Sequence, residues 1–528
     1  MVKAHGDVAG RLQASSGNEN SRRNLIRVLL LTAALPVLLA FPAWAAQWDI
    51  VPALSVSETY TDNVSLAPDA LAQSDWITQL TPAISIVAEG PRLRFRAGYA
   101  PQLTYYARGQ KDDQIYHVGT ADLNAELAKQ LLFVDANASV NYYNVSLRGP
   151  LTDNNVNTTG NRARVGTFLV SPYVLRDFGS NVQAEARFTY SLVNSSERID
   201  SQDSAGYDIH LRLATGPAHK LLTWDLAYDR GKIEYDGALQ RDLDTEIILA
   251  RARGLITPTV GLLGRVGYEY YKRGNFTPES NGVGWGVGLD WAPSPRTSLT
   301  AVVGRRFFGN AYQFDFRHRT RLLALSAGFD QEVTNTRQEL FIPATTSTAG
   351  YLDQLYLSTF PDPRARQQAV DAVISKLGIP ASLNAPVNYF SDQLFLQQRL
   401  QASVAVQGVR NIIIVNVFRT DREALVGDVL LPGFVNEQNS TKQTGTGLVW
   451  NWLISARDSW NLVAAYTRNT FPGTNRRDDL TTLQMGFTRQ FQPRLSGSLS
   501  YRRRQSDSNR IGNDYTENAV FATLQMSF

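Results

Sequence analysis

The strongest constraint on this 528-residue chain is the length over which it alternates apolar with polar residues. In "RLRFRAGYAPQLTYY" (92–106), Leu93, Phe95, Ala97, Tyr99, Pro101, Leu103 and Tyr105 share one parity, and Arg92, Arg94, Arg96, Gln102 and Thr104 the other. "LLFVDANASVNYY" (131–143) and "VQAEARFTYSL" (182–192) repeat the pattern. Successive side chains on a strand point to opposite faces, so each segment has one apolar and one polar side. Such runs of ~10–15 residues exceed the usual five or six of a globular strand and suit a tilted bilayer crossing. A soluble β-sandwich would use shorter strands, with turns about every 8–12 residues and larger branched residues on the buried face. Here Ala, Gly and Tyr recur on the apolar side, which lipid tolerates. The pattern predicts an all-β fold, a transmembrane antiparallel β-barrel.

Composition fits a barrel. Hydrophobic residues make up 43% of the chain, because alternating strands average out in any hydropathy window. Twenty-two Tyr, 23 Phe and 9 Trp supply interfacial girdles. The absence of cysteine excludes disulfides, thiolate metal sites and cysteine nucleophiles. A net charge of +4 gives no case for nucleic acid.

The first 45 residues read as an extension and signal peptide. Arg22, Arg23 and Arg27 precede the apolar "VLLLTAALPVLLAF" (28–41), and Ala43 and Ala45 take small-residue cleavage positions, so cleavage is expected after Ala45 or Ala46. "SRRNLIR" (21–27) has the look of a twin-arginine signal, but a barrel crosses the inner membrane unfolded and the pair is read as an ordinary basic region.

Turn chemistry orients the strands of the barrel, 46–528. Short links such as "EGPR" (89–92), "FGSN" (178–181) and "APSPR" (292–296) alternate with longer polar ones at 61–75, 147–161, 194–204 and 421–438. Short turns are periplasmic and long loops external in such barrels, which predicts about 22 strands (range 18–22) with both ends periplasmic. Parity holds only if 312–319 and 321–329 are separate strands with a tight turn near Thr320. The long interruption, 333–390, then falls outside as an extracellular insert. It carries a helix over 362–377, with Asp362 as N-cap, Pro363 in the first turn and Gly378 as the stop. A lid, or a constriction folded into the lumen, are both open for it.

The chain ends in "AVFATLQMSF" (519–528). Val520, Ala522, Leu524, Met526 and Phe528 form one face of a closing strand and resemble the C-terminal signal read by the barrel-assembly machinery.

Several stretches resemble one family. "ETYTDNVSL" (58–66), "RRFFGNAYQFDFRHRTR" (305–321), "GIPASLNAPVNYFSD" (378–392) and "QASVAVQGVRNIIIVNVFRTDRE" (401–423) are similar to the outer-membrane proteins associated with the PEP-CTERM/exosortase system of Gram-negative bacteria. The resemblance implies an outer-membrane location and a link to exopolysaccharide secretion. It carries over no catalytic residue.

No catalytic, metal or cofactor motif stands out. His117, His210, His219 and His318 are in no metal-ligand spacing, and there is no G-x-S-x-G elbow. "NGVGWGVGLD" (281–290) is no dinucleotide loop. Gly282, Gly284, Gly286 and Gly288 take one strand face, predicted to be a smooth inner wall that another segment such as the insert could approach. Basic stripes are expected in the lumen. Arg92, Arg94 and Arg96, with Arg317, Arg319 and Arg321, sit near the periplasmic mouth, and Arg502 and Arg504 toward the outer end. Paired with carboxylates they brace the wall; unpaired they favour anionic solutes through a focused field. Tyr106, Tyr143 and Tyr270 are expected inside as stacking surfaces. The expectation is a non-enzymatic barrel in contact with outer-membrane lipid, serving exopolysaccharide export. A general diffusion porin and a structural barrel with a filled lumen are the alternatives.

Overall fold

The structure is a computed structural model. It describes residues 46–109, 112–196, 203–236, 242–274, 280–341, 352–353, 366, 370, 386–387, 389–391, 393–425 and 440–528. The expected signal segment lies outside these residues. So does the helix over 362–377, apart from Arg366 and Val370, which are both helical.

The chain builds one closed antiparallel sheet. It starts with β1 (Gln47–Thr61), β2 (Asp75–Glu89), β3 (Leu93–Tyr99), β4 (Gln102–Tyr106), β5 (Gln114–Tyr116) and β6 (Gly119–Ala128). Next come β7 (Leu132–Asn144), β8 (Arg162–Phe178), β9 (Val182–Ser195), β10 (Ser204–Thr215), β11 (Leu222–Tyr235) and β12 (Leu243–Thr257). β13 (Val260–Arg273), β14 (Ser280–Ser294), β15 (Thr297–Arg306), β16 (Gly309–Arg319) and β17 (Leu323–Asn335) lead to the short helix α1 (Thr336–Phe341). After the insert come β18 (Leu394–Gln407), β19 (Asn411–Ala424), β20 (Ser440–Leu453) and β21 (Asp458–Phe471). The sheet finishes with β22 (Arg476–Gln492), β23 (Leu495–Ser508) and β24 (Tyr515–Ser527). β3 and β4 share one stave against β2, and β5 and β6 another, so 24 strands make 22 staves. The first of these breaks falls at Ala100–Pro101, where proline offers no N–H to the ladder.

β24 closes onto β1, from Ala53 opposite Ser527 to Thr61 opposite Ala519. Closure is what the bilayer demands, because it offers no water to an open sheet edge. The tight turn at 320–322 separates β16 from β17, which keeps the parity even.

Alternation sorts the side chains as the sequence pattern requires. Val283, Trp285, Val287, Leu289 and Trp291 of β14 are exposed outward, Val283 at 67%. Val520, Leu524, Met526 and Phe528 are likewise exposed on the outer face of the closing strand, and Ala522 shares their parity. An exposed apolar wall of this extent is sensible only against lipid. Aromatic contacts mark its rims: Trp48 with Phe95 and Trp450 with Trp460 at the end of the short turns, and Tyr60 with Trp76 at the other.

Candidate functional site

What distinguishes this barrel is the outer end of its lumen, where loop 145–161 folds inward. The loop holds its own shape through side chains that cap its backbone. Asn161 Nδ2 donates to Ser146 O (2.7 Å) and Pro150 O (3.2 Å), and Asn154 Oδ1 accepts from Val156 N (2.9 Å). Asn and Thr suit this work because their short polar chains reach nearby backbone groups. Its few apolar residues then dock onto the wall and the insert. Val156 packs with Val64, Ile77, Tyr106 and Phe521, and Leu147 and Leu151 pack with Phe471 and Tyr389.

Polar locks fasten the loop beside the seam where β1 meets β24. Glu517 is fully buried and accepts from Arg502 Nη2 (3.0 Å to each oxygen), Asn157 Nδ2 (2.6 Å) and Thr61 Oγ1 (3.1 Å). The Arg502 guanidinium also lies 4.8 Å from the Phe521 ring centre. Arg504 Nη2 donates to Asp153 Oδ1 at 2.7 Å, with Arg504 buried and Asp153 77% exposed. Asp153 therefore has a crowded neighbourhood but a carboxylate that water still reaches. Burial opposes its ionisation, yet the Arg504 and Arg502 charges prevail and hold the carboxyl well below the usual range. Arg476 Nη2 also donates to Arg148 O (2.7 Å), and Tyr106 Oη to Val156 O (3.2 Å).

The insert spans 336–393, between β17 and β18. It leaves at the outer rim, and its described residues turn into the lumen. On its first arm, Arg337 of α1 donates to Ser204 Oγ (2.8 Å) and to Ser191 O (3.0 Å) and Oγ (2.9 Å). Gly206 makes room for it, since a Cβ there would lie 2.9 Å from the guanidinium. Glu339 accepts from Gln397 Nε2 (3.1 Å) and forms ion pairs with Arg399 and Arg422. On the second arm, Gln443 bonds both N and O of Val387 (2.8 and 3.0 Å), Tyr389 Oη meets Thr441 Oγ1 (3.0 Å), and Phe390 N donates to Val145 O (3.1 Å). Thr336 Oγ1 donates to Tyr389 O (3.0 Å) and joins the two arms. Loop and insert thus touch, forming a collar inside the outer mouth.

The expected arginine stripes divide. Arg502 and Arg504 are part of the collar. Arg94 and Arg96 face the lumen near the periplasmic end, Arg96 with Glu89 at 3.2 Å and Arg94 opposite Glu89 and Asn124 in register. Arg317 and Arg319 also face inward, Arg317 with Asp315 at 3.1 Å and Arg319 Nη2 donating to Pro295 O at 3.4 Å. Arg92 and Arg321 lie in turns at the rim instead of on the wall, because each strand begins just after them.

Of the tyrosines, Tyr106 and Tyr143 pack inside. Tyr270 faces outward with Leu262, Val266 and Tyr268, and its neighbour Tyr271 takes the inner position, buried against Phe307. Gly282 to Gly288 do line the inner face. Among the described residues, Arg265, Val302 and Phe307 approach these glycines, and Gly206 is where an insert side chain meets one. His210 pairs with Asp229 (2.5 Å) in the lumen, and His318 bonds Thr297 Oγ1 (2.8 Å) near the periplasmic rim. No cluster of metal-ligating side chains occurs among the described residues. Sequence reasoning missed the role of loop 145–161. Its signal was Leu147, Leu151 and Val156, apolar residues in a segment otherwise built for water.

The pattern of the family described as "Putative beta-barrel porin 2" matches residues 454–528. No curated protein matches the chain. Among solved structures, the FrpB iron transporter from Neisseria meningitidis (F3-3 variant) superposes with a TM-score of 0.50 at 9% identity, covering 91% of this chain and 82% of that one. The apoprotein form of its F5-1 variant gives 0.50 at 8% identity, over 90% and 81%. At these identities the likeness is one of fold. Together with the lipid-facing wall and closed sheet, it makes this an outer-membrane barrel of porin-like architecture.

Proposed function

We propose that the chain is an outer-membrane conduit for hydrophilic solutes, narrowed at its outer mouth by the collar, with a carbohydrate polymer leaving the cell as its cargo. The observation that carries this is the collar itself, a folded layer pinned at the outer end of a polar lumen. The seam wall supports a carbohydrate cargo. Its inward residues Ser496, Ser498, Ser500, Thr523 and Gln525 offer hydrogen bonds without charge and are partly or fully reachable by water. The sequence resemblance to exosortase-associated barrels supports the export direction. The match of the porin family to 454–528 favours a second reading, a general diffusion porin.

Planar-bilayer recordings of the intact barrel and of a variant with 147–157 replaced by a short Gly-Ser linker test the proposal. A several-fold larger conductance in the variant supports a collar-restricted conduit. A steady, salt-proportional conductance that is equal in both supports the porin. No current in either form sinks both and leaves a structural barrel. Loss of secreted polymer on gene deletion separates export from uptake.

The same reading assigns Val520, Ala522, Leu524, Met526 and Phe528 to recognition by the assembly machinery. Deleting Phe528 then lowers heat-modifiable barrel in the outer-membrane fraction, and an unchanged amount removes the assignment.

A further inference from the structure

On the inner faces of β11–β15, four arginines (Arg251, Arg253, Arg265 and Arg306) stand among three carboxylates. Arg251 holds Asp225 through two N–H groups (3.0 and 2.7 Å). Arg253 holds Asp290, and Arg306 takes Glu269 with two bonds (2.7 and 2.6 Å). Among the described residues, Arg265 forms no ion pair with a carboxylate. Its cross-strand neighbours are Arg251 on β12 and Gly286 on β14. Like charges directly opposite on a sheet destabilise one another, and Asp225 is bonded to Arg251 alone, so the Arg265 charge is left for a further anion to meet.

The geometry presents Arg265 toward the lumen. Its Nε lies 2.7 Å from where a Cβ on Gly286 would stand, so the side chain rests across bare backbone. Arg265 is half-buried while Arg251 is 51% exposed, which leaves water access to the pair. A guanidinium presents N–H donors in a fork that matches a carboxylate or a sulfate.

We infer that Arg265, with Arg251 beside it, forms an anion subsite on the lumen wall, and that it takes the acidic group of a charged carbohydrate. The inference rests on the conduit reading only in requiring a lumen that solutes enter. Arg265 adds an uncompensated cation to a cluster whose other three arginines each hold a carboxylate.

Isothermal titration of the full-length barrel in detergent micelles tests it, with trigalacturonate as the acidic probe and maltotriose as the neutral one. Wild type binds trigalacturonate more tightly than maltotriose. Arg265→Gln weakens the acidic sugar at least fivefold, and Arg317→Gln leaves it within twofold. Gly286→Ala acts in the direction of Arg265→Gln, because the added methyl displaces the guanidinium. Heat-modifiable migration verifies that each variant is folded. Equal binding by wild type and Arg265→Gln, or no preference of wild type for the acidic sugar, overturns the subsite. A barrel that binds but passes no current in either loop form sinks the conduit and spares the site. One that conducts but does not prefer the acidic sugar does the reverse.

Discussion

Two pairs of arginines with the same R-x-R spacing meet opposite fates in this barrel. Arg502 and Arg504 lie at the outer mouth, and Arg317 and Arg319 at the periplasmic one, all facing inward. Arg502 and its partner Glu517 are 5% and 0% exposed, whereas Arg317 and Asp315 are 60% and 43% exposed. The first pair is shut in by loop 145–161 and bonded to it. The second stands exposed, with a partner two residues away on its own strand. Identical chemistry becomes a clamp in one place and a solvated surface in the other. What differs is the cover. Charges removed from water depend on the bonds their partners supply, while charges left in water are worth little to each other.

The contrast breaks most visibly at Arg502. Arg502→Ala strands Glu517, so the loss is expected to reach about 3–5 kcal/mol, the range for one partner removed from a buried pair. A fall in the temperature at which the barrel loses heat-modifiable migration checks it, and an unchanged temperature would show that the seam does not depend on this lock. Asp153→Asn should act more mildly, on the order of 1 kcal/mol, because the carboxylate is exposed and partly screened and the buried Arg504 keeps Leu151 O and gains an amide oxygen in its place. It frees one end of the loop, so conductance rises while the barrel's melting stays near wild type.

Acid should reproduce that variant. The folded-state pKa of Asp153 is depressed, so the stability it gives the loop is fully present above about pH 4, the unfolded value, and drains away as pH falls below it. Conductance is expected to be flat from pH 5 to 8 and to rise only below about pH 4. Asp153→Asn should lack the step, and a transition near neutrality would assign the control to another group.

The smallest effects belong to the periplasmic end. Arg96→Gln and Arg317→Gln should each change stability by about 0–1 kcal/mol, as exposed pairs do. They should shift ion selectivity slightly at low salt, and the shift should vanish at high salt as screening shortens the reach of the field. A loss comparable to that of Arg502→Ala would mean that the two ends are not different in kind.

The fold was legible because alternation is a local property. Val283 to Leu289 against Gly282 to Gly288 can be sorted without knowing any other strand, and lipid enforces the sorting on every stave. Tyr270 shows how narrow the margin is. It was expected inside, but its parity with Leu262, Val266 and Tyr268 sends it to lipid and puts Tyr271 in its place. The partners of the arginines were not legible. Asp153 and Arg504 are 351 residues apart and Asn157 and Arg502 are 345 apart, and they meet only because the barrel closes and the loop folds over the seam.

By itself, then, the sequence determined the class of fold, the direction of each face and the apolar strand on which the chain ends. A bilayer reads those features residue by residue, without regard to distant neighbours. Only the tertiary structure decided which arginines are clamps, which are solvated and that Arg265 stands opposite another arginine. Closure sets who stands opposite whom, and the inward fold of loop 145–161 and of the insert's arms sets which of them water can reach.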